Sequence, residues 1–89
     1  MGKQKNYKIV FRKKEVREGN STIFLQSNLL NNAISDFCRS SWIDLVDISI
    51  SDNPKKKCYV KVKCSNELYK RLINYLKTSN LKHWIDVLS

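Results

Sequence analysis

The most constraining feature of this sequence is the strict alternation of apolar and polar residues between positions 57 and 64. One set of alternate positions is Cys58, Val60, Val62 and Cys64, and the other is Lys57, Tyr59, Lys61 and Lys63. Successive side chains of a β-strand point to opposite faces of its sheet. The segment therefore predicts a strand with one buried face and one outward face that carries cations and a phenol ring.

The first 26 residues predict a β-hairpin. Residues 7–17 and 22–26 are both rich in strand-forming residues, and Gly19 and Asn20 between them tolerate the positive φ angles of a tight turn. The two stretches are therefore expected to pair as strands. In the first strand the apolar set is Tyr7, Ile9 and Phe11, which leaves Lys8, Val10 and Arg12 on the outward face.

Two helices are predicted where apolar residues recur at a spacing of three to four. The first is expected to begin at a cap on Ser27 or Asn28 and to end near Ser40. Its apolar face consists of Leu30, Ala33, Ile34, Phe37 and Cys38. The second is expected to begin after Ser65, a favourable N-cap, and to end near Asn80.

Two further strands complete the pattern. In residues 42–51, Val46, Ile48 and Ile50 alternate with polar residues, which indicates a half-buried strand. Leu45 is out of phase with that set, so either a β-bulge lies near it or the strand begins there. Residues 83–88 predict a short final strand.

These elements predict an α+β fold in a single domain, residues 1–89. The expected architecture is a two-layer sandwich, a mostly antiparallel sheet with two helices on one face, in the order ββαββαβ. If residues 22–26 are not a strand, the order becomes βαββαβ, the ferredoxin-like arrangement. In both versions the other face of the sheet remains open to solvent or to a partner.

The charge of the chain is concentrated in two basic segments. The formal net charge is +9, and most of the acidic residues lie between positions 18 and 54. Both lysine-rich segments contain one of the strands that are expected to be adjacent in the sheet centre. A strong positive charge favours polyanionic partners, although it is no guide to the fold.

The open face is therefore expected to gather cations around one aromatic ring. Lys8, Arg12, Lys61 and Lys63 would surround Tyr59, with Lys55, Lys56 and Lys57 at the rim and Lys13 and Lys14 along the first hairpin. Lysine and arginine bind phosphates, and unpaired bases stack on aromatic rings. The sequence thus predicts a non-enzymatic nucleic-acid-binding domain, with DNA and RNA both open.

A second hypothesis is a protein-binding accessory or inhibitor. The same face could dock an acidic partner or pair with a second copy of the chain. The abundance of Asn and Lys and the single alanine, Ala33, are typical of AT-rich genes, such as those of low-GC phages and plasmids. In a third, non-functional interpretation, the lysines only keep exposed strands soluble and unpaired.

Little in the sequence supports catalysis, a metal site or a cofactor. Cys58 and Cys64 would lie about 20 Å apart on one strand, so three reduced core thiols are expected. Asp44, Asp47 and Asp52 are expected on different faces or in a turn. The longest apolar runs are too short to cross a membrane, so a cytoplasmic protein is expected.

The two tryptophans are informative about partners. Trp42 and Trp84 are expected at the rim of the core, as large aromatic side chains usually are. An exposed tryptophan would instead support base stacking.

Overall fold

The computed structural model describes residues 3–88, which form six strands, two α-helices and a short 3-10 helix. In chain order these are β1 (Lys5–Lys13), β2 (Val16–Glu18), β3 (Ser21–Ile23), α1 (Ser27–Ser40), β4 (Asp44–Ser49), β5 (Cys58–Cys64), α2 (Asn66–Thr78), the 3-10 helix (Asn80–His83) and β6 (Ile85–Val87). The α+β class predicted from the sequence is confirmed.

The main sheet has four antiparallel strands in the order β4-β5-β1-β6. This is the order of a βαββαβ unit, in which β5 and β1 are central. The hairpin β2–β3, which follows β1 and precedes α1 in the chain, forms a separate two-stranded sheet. The predicted turn is confirmed, with Gly19 at φ 63°. The predicted hairpin is confirmed in part, since β2 and β3 pair as antiparallel strands, but the first strand is interrupted after Lys13 and the returning strand ends at Ile23 rather than at residue 26.

Both helices pack on the same face of the main sheet. The core between the layers contains Ile9 and Phe11 from β1, all four apolar residues of β5, and Leu30, Ile34, Leu72 and Leu76 from the helices. The alternation in β5 is confirmed, since its apolar residues are buried while Lys61 and Lys63 are exposed. Burial of this one face is the main stabilising contribution to the fold.

The two helix starts differ in how they are capped. The Ser65 hydroxyl accepts a hydrogen bond from the Leu68 amide at 3.3 Å, which confirms the predicted N-cap of α2. The prediction that Ser27 or Asn28 caps α1 is wrong. The N-cap is Gln26, which makes no side-chain capping bond, and the Ser27 hydroxyl instead bonds to side chains of other elements.

A β-bulge in β4 confirms one of the two interpretations of Leu45. Asp44 lies opposite Lys63, whereas Asp47 lies opposite Lys61, so Val46 is the extra residue. Val46 is 57% exposed, so its expected place in the buried set was wrong. The bulge puts Asp44 and Asp47 on the same sheet face, contrary to the prediction, because each is a direct cross-strand neighbour of an outward lysine.

Candidate nucleic-acid interface

The sheet face opposite the helices is the candidate interface, and we call it the open face. Its side chains are Asn6, Lys8, Val10 and Arg12 of β1, Tyr59, Lys61 and Lys63 of β5, Asp44, Asp47 and Ser49 of β4, and Asp86 of β6. The register brings together residues that are far apart in the sequence, such as Lys8 opposite Lys61 and Val10 opposite Tyr59. The four predicted cations of this face are all exposed.

Two ammonium groups converge on one ring at the centre of the open face. The Lys8 Nζ lies 4.9 Å from the centroid of the Tyr59 ring, and the Lys61 Nζ lies 5.4 Å from it. Both distances are within the range of a cation–π interaction. Both ammonium groups therefore lie near the same ring, where an anion could contact either of them.

The Tyr59 phenol is held by the neighbouring edge strand. Its hydroxyl donates a hydrogen bond to the Asp47 carboxylate at 2.9 Å. This bond, together with the charge of Asp47, raises the pKa of Tyr59 above its ordinary value of 10.0. The phenol is therefore neutral near pH 7, and Tyr59 offers an aromatic face rather than a charge.

A cavity of about 420 Å³ lies beside this pair of lysines. It is lined by the outward residues Asn6, Lys8 and Lys61, by Val46 of the β4 bulge, and by their strand neighbours Tyr7 and Val62. Because two cations and an amide line it, its chemistry suits a phosphate or a polar base edge.

Three carboxylates share the open face, which the sequence pattern did not predict. Asp44 and Asp47 flank the lysines of β5, and Asp86 lies opposite Arg12. Within residues 3–88, however, none of Lys8, Arg12, Lys61 and Lys63 forms an ion pair. These cations remain available to a ligand, although the nearby carboxylates lower the local potential.

Lys13 was predicted for this interface, but the structure places it on the opposite face. Its side chain is 3% exposed, and its Nζ donates to the Ser27 hydroxyl at 2.6 Å and lies 3.9 Å from Asp52. The physical reason is the alternation of β1, which directs Lys13 to the same side as Ile9 and Phe11. Lys13 therefore joins β1 to α1 and is not available to a ligand.

Lys14 is also held by the protein. Its Nζ lies 3.3 Å from the Asp86 carboxylate and donates to the Lys82 carbonyl oxygen at 3.1 Å. Binding a phosphate would require Lys14 to exchange these partners. We therefore assign it a smaller share of any binding energy than Lys8 or Lys61.

Three predicted cations lie in the turn between β4 and β5, which we call the lysine turn: Lys55, Lys56 and Lys57. All three are exposed. The turn is ordered by Asn53, whose side chain accepts a hydrogen bond from the Lys55 amide at 3.0 Å. Since Cys58 lies opposite Phe11, the lysine turn borders the Arg12 end of the open face.

Trp42 is 88% exposed, so the expectation that it lies at the core rim was wrong. It follows the C-cap of α1 in the left-handed region, with φ 61°. Its amide donates to the Arg39 carbonyl, and the Ile43 amide donates to the Cys38 carbonyl at 2.9 Å, which is the Schellman pattern. Glycine usually occupies this position, because a side chain there costs about 1–2 kcal/mol. Trp84, by contrast, is half-buried against the core as expected.

The three cysteines are free and buried, which confirms the expected core thiols. Burial raises the pKa of Cys38 to about 11 and also raises that of Cys64. No group of three or more His, Cys, Asp or Glu that could bind a metal ion occurs in residues 3–88. Neither α-helix of this part of the chain has the length and hydropathy needed to cross a membrane.

We expect Cys38 and Cys64 of the folded chain to resist alkylation by iodoacetamide at neutral pH, because burial raises the pKa of both thiols and the thiolate is the reactive form. Since the pKa of Cys38 is raised to about 11, its labelling should begin only as the pH approaches that value. Mass spectrometry of the labelled protein measures the extent of alkylation, and a urea-unfolded sample serves as the control. Rapid labelling of folded Cys38 at neutral pH would contradict the assignment.

The fold and the site together define a class, an α+β two-layer sandwich with an uncovered sheet face that carries cations around one ring. No family model matches the chain, and no curated protein and no solved structure is significantly similar to it.

Proposed function

We propose that this chain is a small, non-enzymatic nucleic-acid-binding domain, and that the open face and the lysine turn form its interface. The observation that carries the proposal is the convergence of Lys8 and Lys61 over Tyr59 on a sheet face without helices. Phosphates bind such cations by releasing counterions, and an aromatic ring between them suits a base. As part of this proposal the protein acts in the cytoplasm, where its thiols stay reduced.

The alternative function, self-association through the same face, is less well supported. A symmetric dimer places the same patch against itself. Residues on the two-fold axis face their own copies, so a dimer whose axis passes through Lys8 and Lys61 would bring like charges together, which is unfavourable. An acidic protein partner would use the same cations as a nucleic acid, so binding experiments must distinguish the two.

The decisive experiment measures fluorescence anisotropy of labelled DNA and RNA oligonucleotides, single-stranded and duplex, at about 50 and 200 mM salt. With three to five phosphate contacts, the affinity should fall by roughly 20- to 500-fold over this range. Absence of oligonucleotide binding at the lower salt would refute the proposal. Size-exclusion chromatography at several concentrations tests self-association in the same samples.

A further inference from the structure

Trp42 occupies the left-handed position after the end of α1, where glycine is usual, yet its side chain gains no packing there. The Schellman motif at the end of α1 is completed by its backbone bonds and by the buried pair Cys38 and Ile43. The Trp42 side chain takes no part in that contact, since it is 88% exposed. Strained residues of this kind occur preferentially at functional sites.

Trp42 lies near one end of the main sheet, where Asp44 and Lys63 are cross-strand neighbours. It lies two residues before Asp44, which is opposite Lys63 in the sheet. Lys63 is in turn opposite Asn6, the neighbour of the exposed Lys5. The backbone of Trp42 is therefore near the end of the sheet farthest from the lysine turn. A ligand that crosses the face from Tyr59 past Lys61 and Lys63 reaches this end.

The dimensions of the face favour an unpaired strand over a duplex. Four strands at about 4.8 Å spacing span roughly 14 Å, which is wider than the major groove of about 12 Å. The sheet cannot enter a duplex groove face-on, so a duplex would offer it only phosphates. A single strand can place its phosphates on the lysines and turn its bases toward aromatic rings.

We propose that Trp42 is a base-stacking residue and that the ligand of the open face is a single-stranded nucleic acid. This inference rests on the proposed function and adds a residue and a strand class to it. The indole stacks on one unpaired base, while Lys61 and Lys63 hold phosphates between that base and Tyr59. The backbone strain is retained because glycine, which would relieve it, offers no ring.

The test compares Trp42→Gly with the parent protein in three measurements. The urea midpoint should rise, because glycine adopts the left-handed conformation without strain. Affinity for oligo(dT) should fall roughly fivefold to hundredfold, the contribution of one stacked base. Affinity for a duplex of the same length should not change. A purely structural role would not produce this combination.

A second variant detects stacking directly, through the fluorescence of Trp42. Trp84→Phe leaves Trp42 as the only tryptophan of the chain. Oligo(dT) should quench its emission, whereas the duplex should not do so at an equal bound fraction. Trp42→Asn serves as a second substitution, because asparagine also tolerates this conformation.

The outcomes separate the two proposals. If oligo(dT) binds Trp42→Gly as tightly as it binds the parent, the stacking inference is wrong and the proposed function stands. If the parent binds no oligonucleotide, the proposed function itself is wrong. If the substitution changes only self-association, measured by size exclusion, Trp42 contacts a second copy and the stacking inference is overturned.

Discussion

The double substitution Lys61→Glu with Lys63→Glu is expected to abolish nucleic-acid binding at physiological salt. Each change removes a phosphate contact and puts a repelling carboxylate in its place, so the loss should be on the order of a hundredfold or more. Both side chains are exposed, but each new carboxylate lies opposite Asp47 or Asp44, so a small loss of stability is expected, and circular dichroism checks that the fold is retained. Anisotropy with oligo(dT) measures the loss of affinity.

A matched control is available on the helical layer. Lys70→Glu with Lys77→Glu alters the net charge by the same amount, and both lysines are exposed on α2. This pair should weaken binding only mildly, through the overall charge. Equal losses in the two double variants would mean that diffuse charge attracts the ligand, and the open face would then not be the interface.

The largest effect on stability is expected for Phe11→Ala. Phe11 is fully buried, and its strand β1 pairs with both β5 and β6. Truncating it leaves a cavity between the sheet and the helices, at a cost of about 3–5 kcal/mol. A domain of this size has only about 4–13 kcal/mol in total, so much of the protein should unfold. Urea unfolding followed by circular dichroism measures the change.

Val46→Ala is the control for this substitution. Val46 is the extra residue of the β4 bulge and is 57% exposed, so its truncation should change the free energy of unfolding by no more than about 0.5 kcal/mol. If Phe11→Ala were as mild as Val46→Ala, the core would not lie between the sheet and the helices as described.

The sequence predicted the central part of the site because alternation is a local property of the chain. In β5 the positions of Val60 and Val62 are enough to direct Lys61 and Lys63 outward. The same reasoning for β1 correctly placed Lys8 and Arg12. These strands are central in the sheet, so their neighbours could also be inferred from the topology.

The predicted positions of Lys13, Asp44 and Trp42 were wrong. The alternation of β1 was enough to assign Lys13 to the side of Ile9 and Phe11, whereas its partners Ser27 and Asp52, which belong to other parts of the fold, could not be inferred from it. Asp44 moved to the open face because the β4 bulge shifts the register by one residue. The exposure of Trp42 follows from the backbone at the end of α1, where composition alone suggested a buried ring.

The sequence by itself determined the class of fold and the side of the sheet on which each central-strand residue lies, since both follow from the two-residue period of the backbone. Only the tertiary structure decided which cations are available. Lys14 is engaged by Lys82, 68 positions away, whereas Lys8 and Lys61 meet over one ring. Such contacts depend on strand order and register, which join distant parts of the chain.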